Sequence, residues 1–184
     1  MKNKKIIFFD GDGTIWYPKS TKRQKAPHWI YSDKKIGNNH LRHLVLTPAA
    51  LVSLKKLKKM GIALVLISTH PHPPKEADVI LEKKVKHFKL EELFDDFYTS
   101  RNNREGKGEV ILKVLRKKHI PKSHALMVGD SYHFDYLSAK KIGVDALLIK
   151  SEYLIKSEYM KYPPRGRKIE KTISGLKDVV EIIS

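Results

Sequence analysis

Cysteine is missing from the chain altogether, which excludes disulfides and any cysteine-ligated metal centre. No apolar run approaches the roughly twenty residues that cross a bilayer, and the basic first residues lack an apolar signal core, so the expected location is cytoplasmic, away from membranes. Internal repeats and low-complexity tracts are absent too. Acidic residues are scarce: 20 Asp and Glu stand against 37 Lys and Arg, a formal charge of +17 with His neutral. Such a field attracts polyanions and admits nucleic acid as a partner. The plainer reading is surface lysine of the kind that accompanies high-temperature proteins, since Lys55, Lys56, Lys58 and Lys59 stud an ordinary helix face. With 184 residues the chain suits one domain, 1–184, and leaves no room for a large second one.

What is present begins at Lys4. The run Ile6-Ile-Phe-Phe9 reads as a strand buried on both faces, and it delivers Asp10 and Asp12 into a turn with Gly11, Gly13 and Thr14. Open α/β sheets bind ligands at this carboxyl edge. Two carboxylates one position apart can divide a phosphoryl transfer, one attacking phosphorus and the other handling protons, with a divalent cation damping the repulsion. The bland alternative is an Asp-Gly-Asp-Gly turn with no chemistry. Hydrophobic periodicity and turn signals predict strand 4–10, helix 48–60, strand 62–68, helix 74–86, a short segment 94–99, helix 107–119, strand 124–129, helix 133–142 and strand 145–149. That alternation implies a parallel α/β sheet with right-handed crossovers and its strand ends on one edge.

Asp10-Gly-Asp12-Gly-Thr14 resembles the first motif of the haloacid dehalogenase superfamily, and the resemblance extends over residues 4–150. It implies a three-layer Rossmann-like fold with a central parallel sheet, and a magnesium-dependent phosphatase acting through an aspartyl-phosphate. Ile62-Ala-Leu-Val-Leu-Ile-Ser68 matches the second motif, whose hydroxyl would bind a phosphate oxygen. Lys107 matches the third, neutralising nucleophile and phosphate, with Lys113 in reserve because Gly108 replaces the usual Pro. Ala125-Leu-Met-Val-Gly-Asp130, followed by Asp135, matches the fourth. The resemblance makes Asp10 the nucleophile and Asp12 the acid and base. Magnesium would be held by Asp10, the Asp12 carbonyl and Asp130, with Asp135 acting through water or orienting Lys107. Thr14 would support the loop, and the Gly11 and Asp12 amides would hold phosphate oxygens.

Residues 15–47 are too few for a helical cap but could form a flap or β-hairpin, and residues 70–106 suit a helix and crossover, so no large cap domain is expected. Such an open site admits macromolecular phosphates as well as small ones. Asp12-Gly-Thr-Ile-Trp16 with Leu46-Thr-Pro-Ala-Ala-Leu51 looks most like the small magnesium-dependent phosphatases. A polynucleotide 3′-phosphatase, or a basic nucleic-acid-binding protein on the same scaffold, is the alternative. The zinc-binding cysteine loop of many histidinol-phosphate phosphatases is ruled out. His70 and His72 are read as lining the loop above the site rather than as zinc ligands. Trp16, Tyr17, His28, Trp29 and Tyr31, interleaved with Lys19, Lys22, Arg23 and Lys25, are read equally as a substrate flap or a packing patch. The segment 151–184, with a basic loop at Tyr162–Arg167 and an amphipathic helix over 173–183, is expected to pack on the core.

Overall fold

Strand β1 (Ile6–Phe9) occupies the middle of a six-stranded parallel sheet, flanked by β4 (Ala63–Thr69) and β6 (Ala125–Gly129). Beyond β4 lies β5 (Asp96–Ser100); beyond β6 lie β7 (Asp145–Ile149) and β8 (Thr172–Ile173), giving the order β5-β4-β1-β6-β7-β8. The computed structural model describes all residues except 2, 38, 71, 101–105 and 153–168. The predicted basic loop at Tyr162–Arg167 lies outside the described residues.

Alternation of side chains along each strand divides the core in two. Ile7, Phe9, Leu64, Leu66, Leu126 and Val128 face one side, against Leu54 and Leu57 of α2 (Ala50–Lys59), Leu81 and Val85 of α3 (Pro74–His87) and Val179 of α6 (Leu176–Ile183). Ile6, Phe8, Val65, Ile67 and Met127 face the other, against Ile111, Val114 and Leu115 of α4 (Gly108–Lys117) and Ala139 of α5 (Ser138–Lys141). Three layers result, as expected. All four β1 side chains are fully buried, and each such burial is worth about 2 kcal/mol.

Two elements differ from the sequence expectation. The stretch read as helix 133–142 opens as a wide π turn over Tyr132–Leu137, with the Tyr136 amide bonded to the Ser131 carbonyl at 3.1 Å, before α5 begins. Periodicity does not distinguish that widening from a regular helix. Strand β8 is two residues long, too short to leave a pattern, yet it pairs with Leu148 and Ile149 and leads into α6 against α2. The 15–47 interval, where a flap or β-hairpin is expected, is held at its base by an antiparallel pair, β2 (Trp16–Pro18) and β3 (Leu44–Leu46), and carries a short α-helix, α1 (Trp29–Ser32), and a 3-10 turn at His40–His43. No helix among the described residues is long and apolar enough to cross a membrane.

Candidate active site

The carboxyl ends of β1, β4 and β6 meet because these three strands are neighbours, which sets Asp10, Ser68 and Asp130 beside one another at one edge. The Asp10 amide donates to the Val128 carbonyl at 2.9 Å, tying the first acidic residue to β6. From there the chain turns tightly: the amides of Ile15 and Trp16 both donate to the Gly11 carbonyl, at 2.9 and 3.2 Å, and Gly13 donates to the Trp16 carbonyl at 2.7 Å. Gly13 has φ +92°, and a Cβ there would collide with the Asp130 carboxylate. Glycine therefore serves both the turn and the approach of the fourth motif. Thr14 is buried, and its carbonyl accepts from Thr47 Oγ1 at 2.8 Å, which anchors the turn to the end of β3.

Lys107, at the start of α4, is fully buried and forms ion pairs with Asp10 and, at 2.8 Å, with Asp135 Oδ1. Lys113, the reserve candidate, is exposed on the same helix. Asp135 is aimed by the π turn, its Oδ2 accepting from the Ser131 amide at 2.9 Å. Burial raises the Asp135 pKa to about 6, with Lys107 lowering and Asp10 raising it. Burial works against the Lys107 ammonium, but Asp10 and Asp135 outweigh it and raise its pKa.

One oxygen each from Asp10, Asp130 and Asp135 lies within 4.8 Å of the others, an all-oxygen set of the kind that suits magnesium. Asp10 Oδ2 and Ser68 Oγ are buried with no hydrogen-bond partner among the described residues. A cation at the first and a phosphate oxygen at the second would satisfy both, so these residues fit the expected ligands. A cavity of about 90 Å³ opens at Asp10, lined also by Asp12, Lys107 and Asp130 and by Pro27 and His28 of the 19–43 loop.

The Asp12 side chain, on the same cavity, is held by a separate set of donors. Its Oδ1 accepts from the Tyr31 hydroxyl at 2.7 Å and from Trp16 Nε1 at 3.1 Å, and its Oδ2 pairs with Lys84 Nζ at 2.8 Å. Burial alone would raise the Asp12 pKa, but the charges of Lys84 and His28 and the bonds from Lys84 and Tyr31 hold it well below the usual carboxylate range. Burial, with Asp12 nearby, pushes the Tyr31 phenol up. Sequence reading placed Tyr31 in the loop but missed Lys84. The available signal was an interruption: Ala77, Leu81 and Val85 make the inward stripe of α3, and Lys84 sits inside it.

The aromatic cluster divides between its two readings. Trp16 is buried and stacks on Phe88 at 5.7 Å between centroids, which is packing, while both it and Tyr31 donate to the acid. Arg23 ties the loop down, donating from Nε to the Gly13 carbonyl at 3.0 Å and from Nη1 to the Ser174 carbonyl at 3.2 Å. Among the basic tail residues, Lys161, Arg165, Arg167 and Lys168 fall outside the described residues.

His70 is buried next to the acids, with Nε2 3.4 Å from Lys84 Nζ and Nδ1 2.8 Å from His72 Nδ1. Burial, and then the Lys84 charge, lowers its pKa from 6.5 to about 3. The folded protein thus keeps His70 neutral where the unfolded chain would protonate it. Its contribution to stability is complete above pH 6.5 and is lost as the pH falls toward about 3. The melting temperature of the wild type is expected to drop more steeply over that range than that of His70→Gln. Parallel curves would mean that His70 is solvated.

A sequence model of the family described as haloacid dehalogenase-like hydrolase matches residues 4–149. No curated protein sequence matches the chain. Among solved structures, an uncharacterized protein from Listeria monocytogenes serotype 4b superposes with a TM-score of 0.69 at 19% identity, covering 97% of this chain and 96% of that one. A HAD phosphatase from Thermococcus onnurineus gives 0.65 at 19% identity, over 99% and 97% of the two chains. A haloacid dehalogenase-like family hydrolase from Streptococcus pneumoniae gives 0.67 at 18% identity, over 99% of each. At these identities the superpositions speak for the fold, and each runs nearly the full length of both chains.

Proposed function

Since the chain belongs to the haloacid dehalogenase-like hydrolases, we propose that it is a magnesium-dependent phosphomonoester hydrolase whose nucleophile is Asp10. The observation that carries this reading is the pairing of Asp10 with buried Lys107 while its second oxygen, like Ser68 Oγ, has no hydrogen-bond partner among the described residues. The lysine neutralises one oxygen and the other remains available to the reaction.

Asp10 attacks phosphorus as the ester P–O bond breaks, giving an aspartyl-phosphate, and Asp12, ionised in the free protein, takes the proton of the bound phosphomonoester monoanion and passes it to the leaving oxygen. Asp12 then removes a proton from water as the water attacks phosphorus, which frees inorganic phosphate and restores the Asp10 carboxylate, and the departing phosphate takes that proton so that Asp12 is ionised again. Ser68 and the amides of Gly11 and Asp12 hold phosphate oxygens, while Lys107 offsets the gathered negative charge. Magnesium would be held by Asp10, Asp130 and the Asp12 carbonyl, and when bound it supplies charge neutralisation at the phosphoryl oxygens. Asp135 orients Lys107. The 19–43 loop is the substrate flap.

The net charge of +17 favours polyanionic substrates and so keeps a polynucleotide 3′-phosphatase as the second reading. Phosphate release is expected from p-nitrophenyl phosphate, falling at least ~100-fold in EDTA. A panel of phosphotyrosine peptide, sugar phosphates, nucleotides and a 3′-phosphorylated oligonucleotide then identifies the substrate class by the highest kcat/KM. Silence across the panel, with salt-sensitive oligonucleotide binding, would replace the enzyme with a nucleic-acid-binding protein.

A further inference from the structure

Lys84 differs from the other lysines of α3. It is fully buried in the helix's apolar stripe, with Nζ 2.8 Å from Asp12 Oδ2 and hydrogen-bonded to the Tyr31 hydroxyl. The ammonium also lies over two rings, 5.5 Å from the centroid of Trp16 and 4.7 Å from that of Tyr31. A fold gains little from such a pair, because removing both charges from water offsets their attraction and an apolar side chain of similar volume would serve as well. Sequence gives no local reason for it either, since 72 residues separate the partners. The pair therefore needs a reason beyond packing, and Asp12 provides one.

We propose that Lys84 is a positioning residue for the reaction: fixed on α3, it holds the Asp12 carboxylate on the leaving-group side of phosphorus, with Tyr31 and Trp16 completing the grip. This rests on the phosphatase reading of Asp10 and Asp12. The three donors come from three separate segments: Trp16 from the motif turn, Tyr31 from the 19–43 loop and Lys84 from α3. Trp16 and Tyr31 both bind Oδ1, so by themselves they leave the carboxylate free to pivot about that oxygen. Lys84 binds Oδ2 and closes the pivot. A group that must meet the leaving oxygen in one step and a water in the next needs one fixed orientation, and a displacement of about 1 Å can cost ~100-fold in rate. In this arrangement each aspartate has its own buried lysine: Lys107 serves Asp10 and Lys84 serves Asp12.

The test uses kcat/KM, which reports the steps through aspartyl-phosphate formation, on two substrates in magnesium. An alkyl phosphate needs its leaving oxygen protonated; p-nitrophenyl phosphate does not. Lys84→Met is expected to lower kcat/KM for the alkyl ester ~100-fold and for the aryl ester only a few-fold. Tyr31→Phe, which changes packing little, is expected to show the same selectivity at smaller size. In an Asp12→Asn background, Lys84→Met should cost no more than about twofold further, because a residue acting through Asp12 has nothing left to position. Equal slowing of both esters by both variants, or costs that multiply in the double variant, would overturn the proposal and leave the phosphatase intact. If the wild type releases phosphate from neither ester, the phosphatase reading falls and this one with it.

Discussion

Asp10→Asn is expected to abolish phosphate release, by at least ~10⁴-fold in kcat, while leaving the protein folded. An amide cannot attack phosphorus, yet Asn keeps the shape of the side chain and an oxygen for Lys107. The backbone bond from residue 10 to the Val128 carbonyl is untouched. The variant also removes one of three clustered carboxylates, so its melting temperature should fall by no more than a few degrees. Acid quenching during turnover should trap phosphate on the wild-type chain and none on the variant. Turnover that survives the substitution would move the nucleophile to another residue.

Lys107→Met carries the other large effect, and here activity and stability fall together. Among the described residues Lys107 is the sole cation that bridges Asp10 and Asp135, and all three groups are buried. Removing one partner of a buried pair leaves charge uncompensated, which costs about 3–5 kcal/mol. Phosphate binding beside three bare carboxylates should also weaken, with kcat/KM down by roughly 10³-fold. Because magnesium ions would sit among these carboxylates, they should raise the melting temperature of Lys107→Met more than that of the wild type. Equal shifts would place the cation elsewhere. Lys113→Met, on the exposed face of α4, should change neither property.

These two sites were legible in the sequence because each depends on a local pattern. Ile6–Phe9, Ala63–Thr69 and Ala125–Gly129 are apolar runs that stop at turn-forming or polar residues, so the strand ends and the residues on them could be placed without a structure. Lys107 followed from the family resemblance, which calls for a lysine ahead of a helix and before the fourth motif. Lys84 offered only a weak cue, its place inside the apolar stripe of α3: 37 basic residues make a solvated lysine the default, and its distinction comes from tertiary contact with Trp16, Tyr31 and Asp12. The grip of Tyr31 on Asp12 escaped for the same reason, since nothing in a polar loop shows where a hydroxyl will reach. The widened turn at Tyr132–Leu137 was invisible because its composition suits a helix of either pitch.

The central position of β1 also bears on how the protein is made. Ile6–Phe9 leave the ribosome ahead of their partners, which begin at Ala63 and Ala125. At roughly 5–20 residues per second of synthesis, the second partner follows on the order of ten seconds later. Throughout that interval a stretch destined for complete burial has only one sheet neighbour or none. The nascent chain is thus most prone to aggregate before β6 emerges, and a chaperone that shields the β1 stretch would raise the yield of folded protein more than one acting after release.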